Sequence, residues 1–161
     1  EKQIEGGIDV VVMVQGDEPM TDPRMIDDAV RPMLEDSSVQ VVNLMAKVES
    51  PEEFENRNCI KVVCDLQSNA LYFSREPIPT RTKISWPIML KQVCVIPFRR
   101  DFLLAYLDMI PTPLEVAESI DMMRILEHGL KVRMVLTEYA THAVDTPTDL
   151  LMVEKLMAKT L

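Results

Sequence analysis

Glycine is scarce in this 161-residue sequence: there are four, Gly6, Gly7, Gly16 and Gly129. A loop that wraps a triphosphate in backbone N–H groups needs several glycines close together. Gly6-Gly7 is too short and follows no strand, so no phosphate-cradling loop is read in this sequence. Cysteine is scarce as well. Cys59, Cys64 and Cys94 are odd in number and form no Cys-x-x-Cys pair, which argues against a disulfide framework and a zinc site. They read as small buried hydrophobes in a reducing compartment, and a cytoplasmic protein is expected. No apolar run reaches the roughly 18 residues of a membrane span. Residues 1–7 lack the basic-then-apolar pattern of a secretory signal. Basic residues are outnumbered, 17 Lys and Arg against 26 Asp and Glu, for a net charge of −9. A nonspecific nucleic-acid binder needs the opposite balance, because phosphate backbones are held by Lys and Arg. A chain this acidic that handles an anionic substrate needs local cations or a divalent metal.

What is present is ordinary for a globular protein, 47% apolar and 27% charged residues, and the length suits a single domain over residues 1–161. The continuous apolar run at 9–14 follows Gly6-Gly7 and reads as a strand buried on both faces, the pattern of a central parallel strand. Met25, Ile26, Ala29, Val30, Met33 and Leu34 recur at helical spacing behind a cap at Thr21 or Asp22, with Pro23 in the first turn and Pro32 as a kink or stop. Further strands are predicted at 39–48 and 93–98 and at 130–136, and a hairpin at 60–64 and 70–74. Ser50 caps a short helix, with Glu53 completing a capping box. A short helix is predicted at 101–109 and a longer one from Pro113 to His128, closed by Gly129. A last helix starts at Thr146-Pro147-Thr148-Asp149. The proline-rich stretch 75–89, holding Trp86, reads as a long functional loop. The alternation is α/β, with a mixed, mostly parallel sheet flanked by helices. A chain that opens on a central strand implies further strands beside it, so the sheet is expected to be N-terminally incomplete.

Two acids stand at strand-to-helix junctions, where open α/β sheets place ligands. Asp17, in Gln15-Gly16-Asp17-Glu18-Pro19, is either a ligand for Mg²⁺, which prefers hard oxygen donors, or part of a solvated acidic turn with Gly16 supplying the bend. Asp145 is either a second ligand to the same ion or a helix cap. Arg75 can fork onto a carboxylate or phosphate, or it is a surface arginine. Lys61, inside an apolar strand, needs an anion partner if the strand is central and guards against aggregation if it is an edge. His128 and His142 lack a second metal ligand at useful spacing and read as structural. Met122 and Met123 read as core filler.

Several motifs occur in family order and spacing: Val-Gln-Gly-Asp-Glu-Pro at 14–19, Ile-Lys-Val-Val at 60–63, Ala-Leu-Tyr-Phe-Ser-Arg-Glu-Pro-Ile-Pro at 70–79, Pro-Leu-Glu at 113–115 and Val-Asp-Thr-Pro-Thr-Asp-Leu at 144–150. From about residue 9 to 156 the chain resembles the 3-deoxy-manno-octulosonate cytidylyltransferases, or CMP-Kdo synthetases. The resemblance implies a nucleotide-diphospho-sugar-transferase-like fold. It implies a Mg²⁺-dependent, cytoplasmic homodimer that couples CTP to the 2-hydroxyl of Kdo, for lipopolysaccharide synthesis. Carried over by motif, Asp17 and Asp145 ligand Mg²⁺ and, with Arg75, form the catalytic set. Gln15 and Arg75 face the sugar acid, and Glu118 and Asp121 occupy the places of acidic residues near the sugar. The chain departs from the pattern at several places. Gln92, counted with the substrate-binding residues, stands where the family has a histidine, and the Gly-x-Tyr-x-Tyr that follows is replaced. Met122 stands for a glutamine and Ala143 for a glycine. The family's N-terminal phosphate- and base-binding segment has no counterpart here. Two alternatives follow: a non-catalytic dimeric derivative that has lost the CTP site, and, less supported by the motifs, an acylneuraminate-type cytidylyltransferase.

Overall fold

In the computed structural model the described residues are 7–83, 89–139 and 141–158. Trp86 and the end of the proline-rich loop lie outside them. Seven strands and six helices follow in the order β1 (Val10–Val14), α1 (Pro23–Glu35), β2 (Val42–Lys47), α2 (Pro51–Glu55), β3 (Lys61–Cys64), β4 (Ala70–Ser74), β5 (Leu90–Val93), β6 (Val95–Arg99), α3 (Arg100–Leu107), α4 (Pro113–Glu118), α5 (Met122–Glu127), β7 (Arg133–Leu136) and α6 (Pro147–Met157). Among the described residues no helix is long and apolar enough to cross a membrane.

The helices start where side-chain caps satisfy their first N–H groups. Asp22, not Thr21, caps α1 and accepts from the Arg24 N–H at 2.9 Å. The helix runs through Pro32 to Glu35. Ser50 accepts from the Glu53 N–H at 3.1 Å, while the Glu53 carboxylate reaches past the cap to the Glu49 N–H. Thr146 and Asp149 cap α6 reciprocally. Gly129, with φ +73°, lies just beyond the end of α5 and needs the left-handed freedom of glycine. Gly16 shows no such need: its backbone does not enter that region, and an added Cβ would meet nothing within 4 Å.

The class is α/β with a mixed sheet, but the pairing is mainly antiparallel. The larger sheet has the order β4-β3-β5-β2-β7. Only β2 and β7 run parallel, with Leu44 opposite Val135. The pairs β2–β5, β3–β5 and β3–β4 are antiparallel. Full apolarity does not report strand direction. Direction is set by the connections, and the short β3–β4 hairpin forces reversal. The strand expected over 93–98 is broken at Cys94. Before it, β5 joins the large sheet, and after it β6 pairs antiparallel with β1, Val12 opposite Pro97. β1 is therefore half-buried rather than buried on both faces, and β6 is its only strand partner among the described residues.

The main core gathers Phe73, Ile96, Phe98, Met122, Met123 and Ile125 between the sheet and α5, and a second core seats Met25 and Ala29 of α1 on Leu44, Val93 and Val95. The helix expected from Pro113 to His128 is two helices. Ser119 between them is left-handed, with φ 54°. The carbonyls of Glu118 and Ser119 turn to the Arg75 side chain, at 2.6 and 3.1 Å. Lys61 is wholly buried on an interior strand, and its partners are three backbone carbonyls rather than an anion.

Candidate active site

A crevice of about 1190 Å³ opens beside the end of β1, the β5–β6 break and the segment leading into α6. Six of the residues singled out from sequence line it: Gln15, Asp17, Arg75, Gln92, Asp121 and Asp145. Two backbone contacts assemble its floor. The Gln15 N–H donates to the Cys94 carbonyl at 3.3 Å, and the Val144 N–H donates to the Asp17 carbonyl at 2.9 Å. The second contact carries Asp145 to the turn that bears Asp17, across 128 positions of sequence.

Neither acid takes its structural alternative. Asp17 Oδ1 is buried and has no hydrogen-bond partner, although a buried carboxylate oxygen normally has one. The cap of α6 is made by Thr146 and Asp149, so the Asp145 carboxylate is not used there. Its own N–H donates to Asp149 at 3.2 Å. Burial pushes the Asp145 carboxyl above its ordinary range, and the charges of Asp17 and Asp149 add to that. Glu18 is pushed up in the same way, by burial first and then by Asp17, against the pull of Lys91. The Cys94 thiol is pushed up to about 12 by burial and by the charges of Glu18, Asp17, Asp145 and Asp121, so it stays protonated and inert. Carboxyls raised by burial and by neighbouring negative charge, as Glu18 and Asp145 are, are destabilised in their charged forms, which a divalent cation relieves. Hard oxygen donors, one of them buried and unpaired, fit Mg²⁺. Among the described residues no group of three or more His, Cys, Asp and Glu side chains is arranged to hold a metal unaided.

Arg75 enters the crevice wall from the end of β4. Its Nε donates to the Glu118 carbonyl, Nη2 to the Ser119 carbonyl and Nη1 to the Arg57 carbonyl, at 2.6, 3.1 and 3.1 Å. A guanidinium has five N–H donors, so two remain. Gln92 is oriented by its amide nitrogen, which donates to Asn43 Oδ1 at 2.6 Å. Asn43 is itself fully buried and bonded to the Leu44 and Val93 carbonyls.

Glu118 is the sequence-predicted site residue that the structure moves elsewhere. It does not line the crevice but lies behind Arg75. There its carboxylate accepts from Tyr72 Oη, Ser74 Oγ and the Arg75 N–H at 3.1, 3.0 and 2.8 Å. Burial pushes its carboxyl up, but these donors outweigh burial and hold it below the ordinary glutamate range. Sequence reasoning missed Lys91, Asp149 and the crevice position of His142. Lys91 is paired with Glu53 at 2.5 Å and is only 12% exposed. The available signal was a basic residue directly before Gln92.

The α/β fold sets this crevice, with Asp17 just past β1 and Asp145 just before α6, where open α/β sheets bind ligands. Residues 2–133 match the family model described as cytidylyltransferase, and the chain belongs to that family. It is 42% identical over 161 aligned residues to the 3-deoxy-manno-octulosonate cytidylyltransferase of Geobacter metallireducens (strain ATCC 53774 / DSM 7210 / GS-15), covering 92% of this chain and 63% of the relative. It is 41% identical to the enzyme of the same name from Solibacter usitatus (strain Ellin6076), covering 92% and 59%. The chain thus spans less than two thirds of the length of these relatives. A solved structure of CMP:2-keto-3-deoxy-manno-octonic acid synthetase complexed with CTP superposes with a TM-score of 0.86 at 35% identity, covering 95% of this chain and 63% of that one. A 4-diphosphocytidyl-2C-methyl-D-erythritol synthase from Anaerococcus prevotii shares the fold alone, at 12% identity and a TM-score of 0.58.

Proposed function

We propose that this chain carries the metal-holding and sugar-facing part of a CMP-Kdo synthetase. That enzyme joins CTP to the 2-hydroxyl of a 2-keto-3-deoxy sugar acid, Kdo or a relative, with release of pyrophosphate, for lipopolysaccharide synthesis. The observation that carries this reading is the buried, unpartnered Oδ1 of Asp17 beside the Asp145 segment, in an acid-lined crevice. The full-length relatives named 3-deoxy-manno-octulosonate cytidylyltransferase support it.

In the reaction the sugar hydroxyl oxygen forms a new bond to the α-phosphorus. The bond to the bridging oxygen breaks, pyrophosphate leaves, and the hydroxyl proton passes to water. Asp17 and Asp145 would hold Mg²⁺, which neutralises phosphate charge when bound. Without it, the same carboxylates repel the triphosphate. The two uncommitted N–H groups of Arg75 bind the sugar carboxylate and fix its orientation. Gln15, Gln92 and Asp121 take sugar hydroxyls at the crevice wall. The working form is a cytoplasmic homodimer.

The test is calorimetric titration of Mg²⁺ and then of Kdo into the chain. Heat with both is expected, and the Mg²⁺ heat is lost in Asp17→Asn. A folded chain that gives no heat with Mg²⁺ overturns the reading.

A further inference from the structure

Arg75 is held from two sides by residues that do not themselves face the substrate. On one side is Glu118, whose carboxylate takes the Arg75 N–H at 2.8 Å while its carbonyl takes Arg75 Nε at 2.6 Å. The same carboxylate is fixed by Tyr72 and Ser74, the two alternate residues of β4 that precede Arg75. On the other side is Lys61. The β3–β4 register sets Lys61 opposite Ser74, and its Nζ donates to the Arg75 carbonyl at 2.6 Å. The other two ammonium protons go to the Asn56 carbonyl at 2.8 Å and the Cys59 carbonyl at 2.6 Å.

A lysine with no exposed surface and no carboxylate partner is costly to bury. Methionine would fill the same strand position at lower cost. What the ammonium supplies is directional. It ties three carbonyls, those of Asn56, Cys59 and Arg75, to one point, and Asn56, Cys59 and Arg75 all line the crevice. Glu118 is equally specific. Its carboxylate accepts three donors, and the left-handed break at Ser119 delivers the two carbonyls that grip the guanidinium. Backbone N–H, backbone C=O and all three guanidinium nitrogens of Arg75 are thereby bonded or fixed. The two free N–H groups are aimed in advance, without the entropy loss of ordering a mobile arginine at binding.

We propose that Lys61 and Glu118 are positioning residues that lock Arg75 from opposite sides and present its guanidinium, already oriented, to the anionic group of the sugar acid. The proposal rests on Arg75 facing the sugar acid, and the experiment separates the two ideas. The first arm needs no activity: ¹⁵N spectra of the Arg Nε–H groups in the chain, with the Arg75 signal assigned from Arg75→Lys. A sharp, slowly exchanging Arg75 signal is expected in the parent chain. In Glu118→Gln it exchanges about tenfold faster, because the Arg75 backbone N–H loses its charge-assisted bond to the carboxylate and residue 118 no longer holds its carbonyl against Nε, while the remaining signals stay in place. Lys61→Met is expected to act alike. If that variant fails to fold, Glu118→Gln alone decides. The second arm is binding by calorimetry: Glu118→Gln raises Kd for the sugar acid about tenfold with Kd for Mg²⁺ unchanged, whereas a merely structural role lowers the active fraction and leaves both Kd values alone. An Arg75 signal that is already averaged in the parent chain, or unmoved in Glu118→Gln, overturns the clamp. A moved signal with unchanged Kd for the sugar acid keeps the clamp and overturns the reading of Arg75.

Discussion

The residue that best separates stability from function is Asp17. Its buried Oδ1 lacks a partner, and its charge raises the carboxyls of both Glu18 and Asp145. In the absence of metal such a group is a net cost to the fold, as is common where a site is built for a ligand. Asp17→Asn should therefore raise the melting temperature in EDTA by a few degrees, about 1 kcal/mol. It should also abolish the further rise that Mg²⁺ gives the parent chain. Thermal scans with and without Mg²⁺ check both. Glu118 behaves in the opposite sense. Its donors hold its carboxyl below the ordinary value of 4.5, so its charged form stabilises the fold fully above that pH. The benefit is lost as pH falls through the lowered value in the folded chain. Glu118→Gln should cost about 1–2 kcal/mol at pH 7, at the modest end for a partly exposed group. The gap between parent and variant should close below about pH 4.5, as read by urea denaturation across pH.

Among the elements, the break between α4 and α5 decides most. Ser119 holds φ 54° in a region where a side chain costs roughly 1 kcal/mol and glycine does not. Ser119→Gly should stabilise the chain by about 0.5–1 kcal/mol, measured as a shift of the urea midpoint with unchanged slope. Ser119→Val should cost more than that. If the valine variant were as stable as the parent, the left-handed turn would not be required. A continuous helix there would remove the carbonyls that hold Arg75. The β5–β6 break at Cys94 matters in the same way. It moves the chain from one sheet to the other and leaves the Cys94 carbonyl to anchor Gln15 at the crevice.

For the whole molecule, charge sets the terms of binding. A chain of net charge −9, with Asp17, Glu18, Asp121 and Asp145 around one crevice, repels a free triphosphate. CTP should bind with Mg²⁺ and lose at least tenfold in affinity when EDTA removes the ion. Calorimetry with and without the chelator checks this, and equal affinity in both would leave the paired acids without a role. How far the sequence could be read follows from the range of each determinant. Apolar runs, the caps at Ser50 and Thr146, the β3–β4 hairpin and the positions of Asp17 after a strand and Asp145 before a helix are local patterns, legible residue by residue, while Thr21 and Asp22 stayed equal candidates for the cap of α1. Strand direction, the left-handed Ser119, the carbonyl cage around Lys61 and the withdrawal of Glu118 behind Arg75 were decided by the tertiary structure. Each of these turns on a neighbour that the folded backbone supplies: Glu118 and Arg75 are 43 positions apart, and all three oxygens around Lys61 come from outside its own strand. No short-range periodicity encodes which distant carbonyl or carboxylate will stand at hydrogen-bond distance.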